Sequence, residues 1–501
     1  MKKINKILSI TLAMMFLISC ERSLDINNDP NNPLSSQTNP DIVLPGALTR
    51  SGSTLIVTMN NLGNTVGGAW GGNVLEFSGP YNDEFRYNVT STFYDNIWDN
   101  LYTRTSNFTS IINFESEENY DNHKAIARIM RAFYFQYLVD LYGDIPYSER
   151  HQLNENITPA YDDAKSIYRD LVSEINIANS LIDNASADAE SVANSDIIFQ
   201  GNMTMWKKFA NTIKLRILMR QSLMTDAETQ NHITSELNGL TTSDFLGAGE
   251  SATMNPGYAN DAGRQTPFYG SFGFQANGVP TGGNRSAVGS EYIIDLLQNN
   301  GDSRLQRLFR TNDAGLYVGI QQGALLGSLP AGTTLCKMGV GVGVEAASDA
   351  NASRDAIIMT AAESLFLQAE ATQRGYNIGG NAQSLFESGI TASFNQLGAG
   401  SAAGYIASVA NTEGLGWNSS NPIEAILAQK WIALSCINGA EAWIEMTRTG
   451  FPNVPLSLTQ QTGSRPNRLL YPQSEISGNS ANVPSQTTQT AFSTKIFWDV
   501  N

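Results

Sequence analysis

Apolar residues at alternating spacings of three and four constrain this chain more than any other pattern, because only a helix with one buried face uses that period. Tyr94, Trp98, Leu101, Thr105, Phe108 and Ile112 make one such stripe. Ile126, Met130, Phe133, Tyr137 and Leu141 make a second, closed by the stop signals Gly143 and Pro146. Tyr168, Leu171, Ile175, Ala178 and Ile182 form a third, and Trp206, Phe209, Ile213 and Ile217 a fourth. Residues 355 to 375, 381 to 397 and 421 to 447 add three more helical candidates, the last with Ile423, Leu427, Trp431 and Leu434 on its buried face.

Neighbouring helices with one wide apolar stripe bury it most simply as stacked antiparallel hairpins. The expected fold class is therefore mainly α, with helix pairs stacked in the manner of a tetratricopeptide solenoid. The intervals between helix starts keep no strict period, so pairing rather than self-similarity carries this reading. Between the helical blocks, residues 63 to 93 and 240 to 290 are dense in Gly, Asn, Ser, Pro and aromatics, and 311 to 350 are Gly-rich. Loops this long in a compact protein are functional or disordered, and their aromatic content argues against disorder. A helical spine carrying a loop-rich lobe is expected.

The N-terminus sets the compartment. Lys2, Lys3 and Lys6 precede a mostly apolar run from Ile7 to Ile18, too short to span a bilayer, and Leu17-Ile18-Ser19-Cys20 closes it. Residues 1 to 19 read as an export signal ending in a lipobox, with Cys20 the acylated first residue of the mature chain. Several acyl chains hold a protein firmly to a membrane where one holds it marginally. Residues 20 to 40, with Asn27-Asn28-Asp29-Pro30-Asn31-Asn32-Pro33 at their centre, read as an extended tether. Residues 41 to 501 read as one domain, with loop insertions near 63–93, 240–350 and 450–490. No later run looks long and apolar enough to cross a membrane.

The leader holds three of the 31 basic residues and none of the 47 acidic ones, leaving 28 against 47 and a formal charge of −19. Such a surface repels nucleic acid. Apart from Cys20, only Cys336 and Cys436 remain, too few for a disulfide framework; Cys436 sits among Trp431, Leu434 and Ile437, the setting of a buried thiol.

No catalytic constellation stands out. His123, His151 and His232 pair at no metal-ligand spacing, and no H-E-x-x-H, C-x-x-C, G-x-S-x-G or Walker-type loop is present. Gly339, Gly341 and Gly343 lack the third glycine of a dinucleotide fingerprint and read as strand or loop. Glu363 with Glu370, and Glu441 with Glu445, share helical faces. Solvated faces or arginine partners explain them better than a glycosidase acid pair.

Several segments resemble the SusD/RagB family of nutrient-binding outer-membrane lipoproteins. The lipobox is followed by LDINNDPNNP, similar to the branch with a D-P-N-N-P element. KAIARIMRAFYFQYLVDLYGDIPYSE, MWKKFANTIKLRILMR, AAESLFLQAEATQRG, AILAQKWIALSCINGAEAWIEMTRTGFP and RLLYPQSEISGNSANV follow in the family's order. The resemblance implies a superhelix of four tetratricopeptide-like pairs and a partner, the SusC-type TonB-dependent barrel, which the lipoprotein caps as a hinged lid. It also implies binding without turnover, on the cell surface, of a glycan or oligosaccharide; the family's other branch leaves a peptide open. A lipid-anchored glycoside hydrolase is the enzyme-class alternative.

Capturing a sugar needs flat aromatic faces and amide or charged partners for its hydroxyl rim. Trp70 and Tyr81 are the candidate stacking platforms, with Asn73 and Arg86 as hydrogen-bonding partners; Tyr269 and Phe272 belong to the second loop set. The same rings could instead fill the lobe's core or face the barrel. Asp29, Asp83 and Asp261, each near asparagines, could offer oxygens to calcium, as in some relatives. No D-x-D-x-D-G loop is present, so no metal ligand is assigned and no cofactor is expected.

Overall fold

A computed structural model of the chain describes residues 39–152 and 155–501. Cys20, Asp29 and nearly all of the leader and tether lie outside the described residues. The first element, α1 (Pro40–Ser53), is capped by Asn39, whose side chain accepts from the Ile42 N–H. It runs through a π-helical stretch (Thr54–Met59) into α2 (Asn60–Val66). By length and composition the run Pro40–Val66 could cross a membrane, which corrects the expectation that no later segment would qualify. Half of its apolar window is buried against the protein's own core, as expected of a core helix.

Four hairpins follow. The first is α3 (Asn96–Ile112) with α4 (Asp121–Tyr142), and the second is α5 (Ala164–Asp183) with α6 (Met203–Arg220). Beyond the lobe come α9 (Ala361–Gln373) with α10 (Ala382–Leu397), then α11 (Pro422–Leu434) with α12 (Gly439–Thr449). Side chains of Asp163, Asn202, Thr360, Asn381, Asn421 and Asn438 cap six of these helices, so local sequence fixes their starts. Gly143, Gly398 and Gly450 end three of them at positive φ.

The candidate helix over 421 to 447 is two helices. Cys436 adopts φ 66° between them, and the Cys436 and Gly439 N–H groups donate to the side-chain oxygens of Asn64 and Asn60. This corner locks α12 to α2. A Cβ on Gly63 would lie 1.9 Å from the Gly439 carbonyl carbon, so only glycine allows the approach. The candidate over 355 to 375 also divides, into a strand and α9.

Between the second and third hairpins the chain builds the lobe from short elements: β2 (Ala252–Met254), α7 (Pro267–Phe272), β3 (Ala287–Gly289) and α8 (Glu291–Asn299). Two antiparallel strand pairs stitch it to distant segments. β1 (Trp70–Gly72) pairs with β3 in the register Trp70↔Gly289 and Gly72↔Ala287, and β2 pairs with β4 (Ala356–Met359). One hydrophobic cluster fills the first two hairpins; a second joins the lobe to α9, α10 and α11.

The glutamates on shared helix faces are not solvated. Glu363, Glu370, Glu441 and Glu445 are buried with Asp140 and the cations Arg216, Arg220, Lys430 and Arg448. Arg216 Nη1 lies 3.1 Å from Glu363, Arg220 Nη2 2.7 Å from Glu441, and Arg448 Nη2 2.9 Å from Glu370 and 2.8 Å from Glu445. Burial is the largest influence at Asp140, Glu363, Glu441 and Glu445. It pushes Asp140 up to about 6 and raises Glu363, whereas the surrounding cations outweigh it at Glu441 and Glu445 and hold both low. The network ties α4, α6, α9, α11 and α12 together, and its carboxylates are closed to any substrate.

Candidate ligand-binding surface

The segment after α2 supplies the surface. Trp70 lies in β1 with none of its surface exposed: its Nε1–H donates to Cys436 Sγ at 3.1 Å, and its ring meets Phe272 edge-on at 5.0 Å. Phe272 is 5 % exposed and Tyr269 1 %, and the Tyr269 hydroxyl accepts from the Ser348 N–H. These three rings form the interior of the lobe. Trp70, Tyr269 and Phe272 therefore present no free face for stacking, and their expected ligand role gives way to core packing.

Asn73 is also buried, and it acts as a brace. Its Nδ2 donates to the Arg285 carbonyl at 2.8 Å and to Glu76 Oε1 at 3.0 Å, and its backbone N–H donates to the Ser286 carbonyl. Glu76 in turn accepts from Lys337 Nζ at 2.7 Å and Arg285 Nε at 2.8 Å. Partial burial alone would raise the Glu76 carboxyl, but the bonds and charges of Lys337 and Arg285 outweigh it and hold the group below its usual range. Three separate loops are thus pinned at one carboxylate.

What this brace leaves open is the useful part. Arg285 lays its guanidinium 5.1 Å from the centre of the half-buried Phe77 ring. Tyr81 is half-buried, with its hydroxyl 3.1 Å from Ser286 Oγ and its backbone at φ 55°. A left-handed tyrosine is held at some cost, and Tyr87 repeats it at φ 56° across the short helical turn Asn82–Arg86. Arg86 is exposed, and among the described residues its side chain has no ion pair or hydrogen bond. Phe77, Tyr81, Arg86 and Arg285 therefore combine partly open aromatic surface with free donors.

The lobe also holds a cleft of about 810 Å³, including its mouth, where the half-buried Tyr292 ring stands among Glu291, Asp295, Asn299 and Gln321. Tyr292 meets Trp431 edge-on at 5.7 Å. Aromatic faces bordered by amides and carboxylates suit polyhydroxylated ligands. Arg285, Lys337 and Tyr292 were not singled out from sequence, because only the pairing of β1 with β3 and the bridge between Val288 and Lys337 bring their segments toward residue 70 and its neighbours.

The other expected positions resolve simply. Trp98, Trp206 and Trp431 of the helical stripes are core. Asp83 accepts from Asn88, and Asp261 pairs with Arg264 on the surface. Cys336 and Cys436 are both buried free thiols. The Gly339–Gly343 run is a 3₁₀ turn, where Gly339 and Gly341 lie against the Arg307 backbone.

Known proteins share this architecture. A chitin-binding SusD homologue from Flavobacterium johnsoniae superposes with a TM-score of 0.72 at 24 % identity, over 91 % of this chain and 99 % of that one. A second structure, titled a chitin-binding protein, gives 0.70 at 25 % identity over 92 % and 100 %. A SusD homologue from Bacteroides uniformis gives 0.71 at 23 % over 92 % and 99 %. No curated protein matches the sequence significantly. The family model described as starch-binding and associating with the outer membrane matches residues 43–472, and with that match spanning both spine and lobe the chain belongs to the SusD-like family.

Proposed function

We propose that this protein is a cell-surface carbohydrate-binding lipoprotein that captures a glycan or oligosaccharide without cleaving it and passes it to a SusC-type TonB-dependent transporter, which it covers as a lid. The observation that carries the reading is the family match over residues 43–472. Two similar structures are titled chitin-binding. The anchor in this reading is acylated Cys20, and the ligand face is the open rim of Phe77, Tyr81, Arg86 and Arg285.

The chemistry is capture alone. Sugar C–H faces lie on Phe77 and Tyr81, while the guanidinium groups of Arg86 and Arg285 donate to ring hydroxyls. Glu76, Asn73 and Lys337 fix the loops beforehand, so little ordering cost remains to be met on binding. Calorimetric titration of chitin- and starch-derived oligosaccharides tests the proposal. Saturable heat with at least one, weakened about tenfold or more by Arg86→Ala combined with Phe77→Ala, is expected. Release of reducing ends from those sugars by the purified protein would overturn it.

A further inference from the structure

A recess on the spine, away from the lobe, gathers positive charge in an acidic chain. It lies between the first hairpin and the connection that follows it, opens to solvent with about 990 Å³ including its mouth, and is lined by Thr109, Arg128, Arg131, Arg150, His151 and Glu155 among others. Glu174 of α5 accepts from Arg128 Nη1 at 2.7 Å and from Arg131 Nη2 at 2.8 Å, so one carboxylate serves two guanidinium groups. Arg150 has no ion pair among the described residues. Its Nη1 donates to the Tyr147 carbonyl, its guanidinium carbon lies 4.0 Å from the Tyr147 ring centre, and its buried Nε has no acceptor among the described residues. Glu155 stands exposed at the rim without an ion pair among those residues.

Backbone geometry points the same way. His151 is held at φ 61°, which sets its Nδ1 2.8 Å from Thr109 Oγ1, the hydroxyl that also accepts from Arg131 Nη1 at 3.1 Å. A left-handed histidine persists only where its surroundings require it. Burial, then the charges of Arg150 and Arg131, push its pKa down to about 3, so the ring is a neutral hydrogen-bonding group. Burial first, then the charge of Arg150, depress the Arg131 guanidinium to about 10, and Glu174 offsets this only in part.

We propose that this recess is an oxyanion site, taking one sulfate, phosphate or carboxylate group of a ligand between Arg128, Arg131 and Arg150. Planar guanidinium groups match the oxygen spacing of such anions, and Arg150, already stacked on Tyr147, loses little freedom on binding. The site is separate from the glycan face and does not depend on it.

Isothermal titration of the purified protein with sodium sulfate, sodium phosphate and sodium galacturonate, each at fixed ionic strength against chloride, tests this. One-to-one saturable binding of at least one anion is expected, and which arm is tightest identifies the group. Arg150→Gln should weaken it by about tenfold or more with an unchanged circular dichroism spectrum, and Glu155→Gln should tighten it by removing the rim charge. Absence of saturable heat beyond chloride, or equal affinity in Arg150→Gln, overturns the proposal.

Discussion

The centre of the spine and the interior of the lobe differ in how much charge they bury. At the centre of the spine, nine ionisable side chains from five helices are buried together where no ligand can reach them. In the lobe, aromatic rings fill most of the interior beside one buried ion pair, Arg304 with Asp302, while Glu76, Arg285, Lys337 and Arg86 sit at or near the surface. A buried ion network contributes little net stability over an apolar core, but breaking it is costly, because the remaining partners are left charged and dry. The difference separates residues that hold the fold from residues free to meet a ligand. Conspicuous carboxylates belong to the first group and a half-covered phenylalanine to the second.

The largest test of that contrast is Arg220→Ala. It leaves Asp140, Glu441 and Glu445 without their shared cation, and urea unfolding should show a loss of about 3–5 kcal/mol. Trp70→Ala comes next, at about 3–5 kcal/mol by loss of a fully buried ring. It should lower the thermal midpoint, unlike a change at an open stacking platform. Should Trp70→Ala instead leave stability intact while abolishing binding, the division between lobe core and lobe rim fails.

A smaller effect concerns pH. His151 titrates at about 3 in the folded protein against an ordinary 6.5, so between those values the unfolded chain binds more protons and stability falls as pH falls. From pH 6.5 to 5 the loss from this group is about 2 kcal/mol. Asp140, raised to about 6 from 3.8, works in the opposite sense over its window, since the folded state holds the proton there. Comparing wild type with His151→Gln across that range isolates the histidine: the variant's stability should decline less steeply with acid. The smallest change in stability is expected for Arg86→Ala, within about 0.5 kcal/mol, because its side chain holds nothing in the fold.

Much of the spine was legible in sequence because helical periodicity and capping residues act locally. The stripes through Trp98, Met130, Leu171 and Phe209 fall on α3, α4, α5 and α6. Tyr94 falls just outside α3, at φ 55°, with its hydroxyl donating to Glu84. The break at Cys436 was not legible: its cause is Asn60 and Asn64, some 370 residues away in the chain. For the four glutamates the sequence left solvated faces or arginine partners open, and only the packing of Arg216, Arg220 and Arg448 against them decides for the second. In the lobe, Tyr81 and Arg86 could be named from composition. The burial of Trp70 against Phe272 and Cys436 needed a strand pairing that no local pattern announces.

Calorimetry of wild type and the Phe77→Ala, Arg86→Ala double variant with chitin and starch oligosaccharides, run beside their thermal unfolding curves, bears most directly on the claim that the lobe's open rim grips carbohydrate. The account predicts saturable binding of at least one sugar by the wild type, and its loss in the variant at a nearly unchanged unfolding midpoint. Undiminished binding by the double variant, or no binding of any sugar by the wild type, would contradict it.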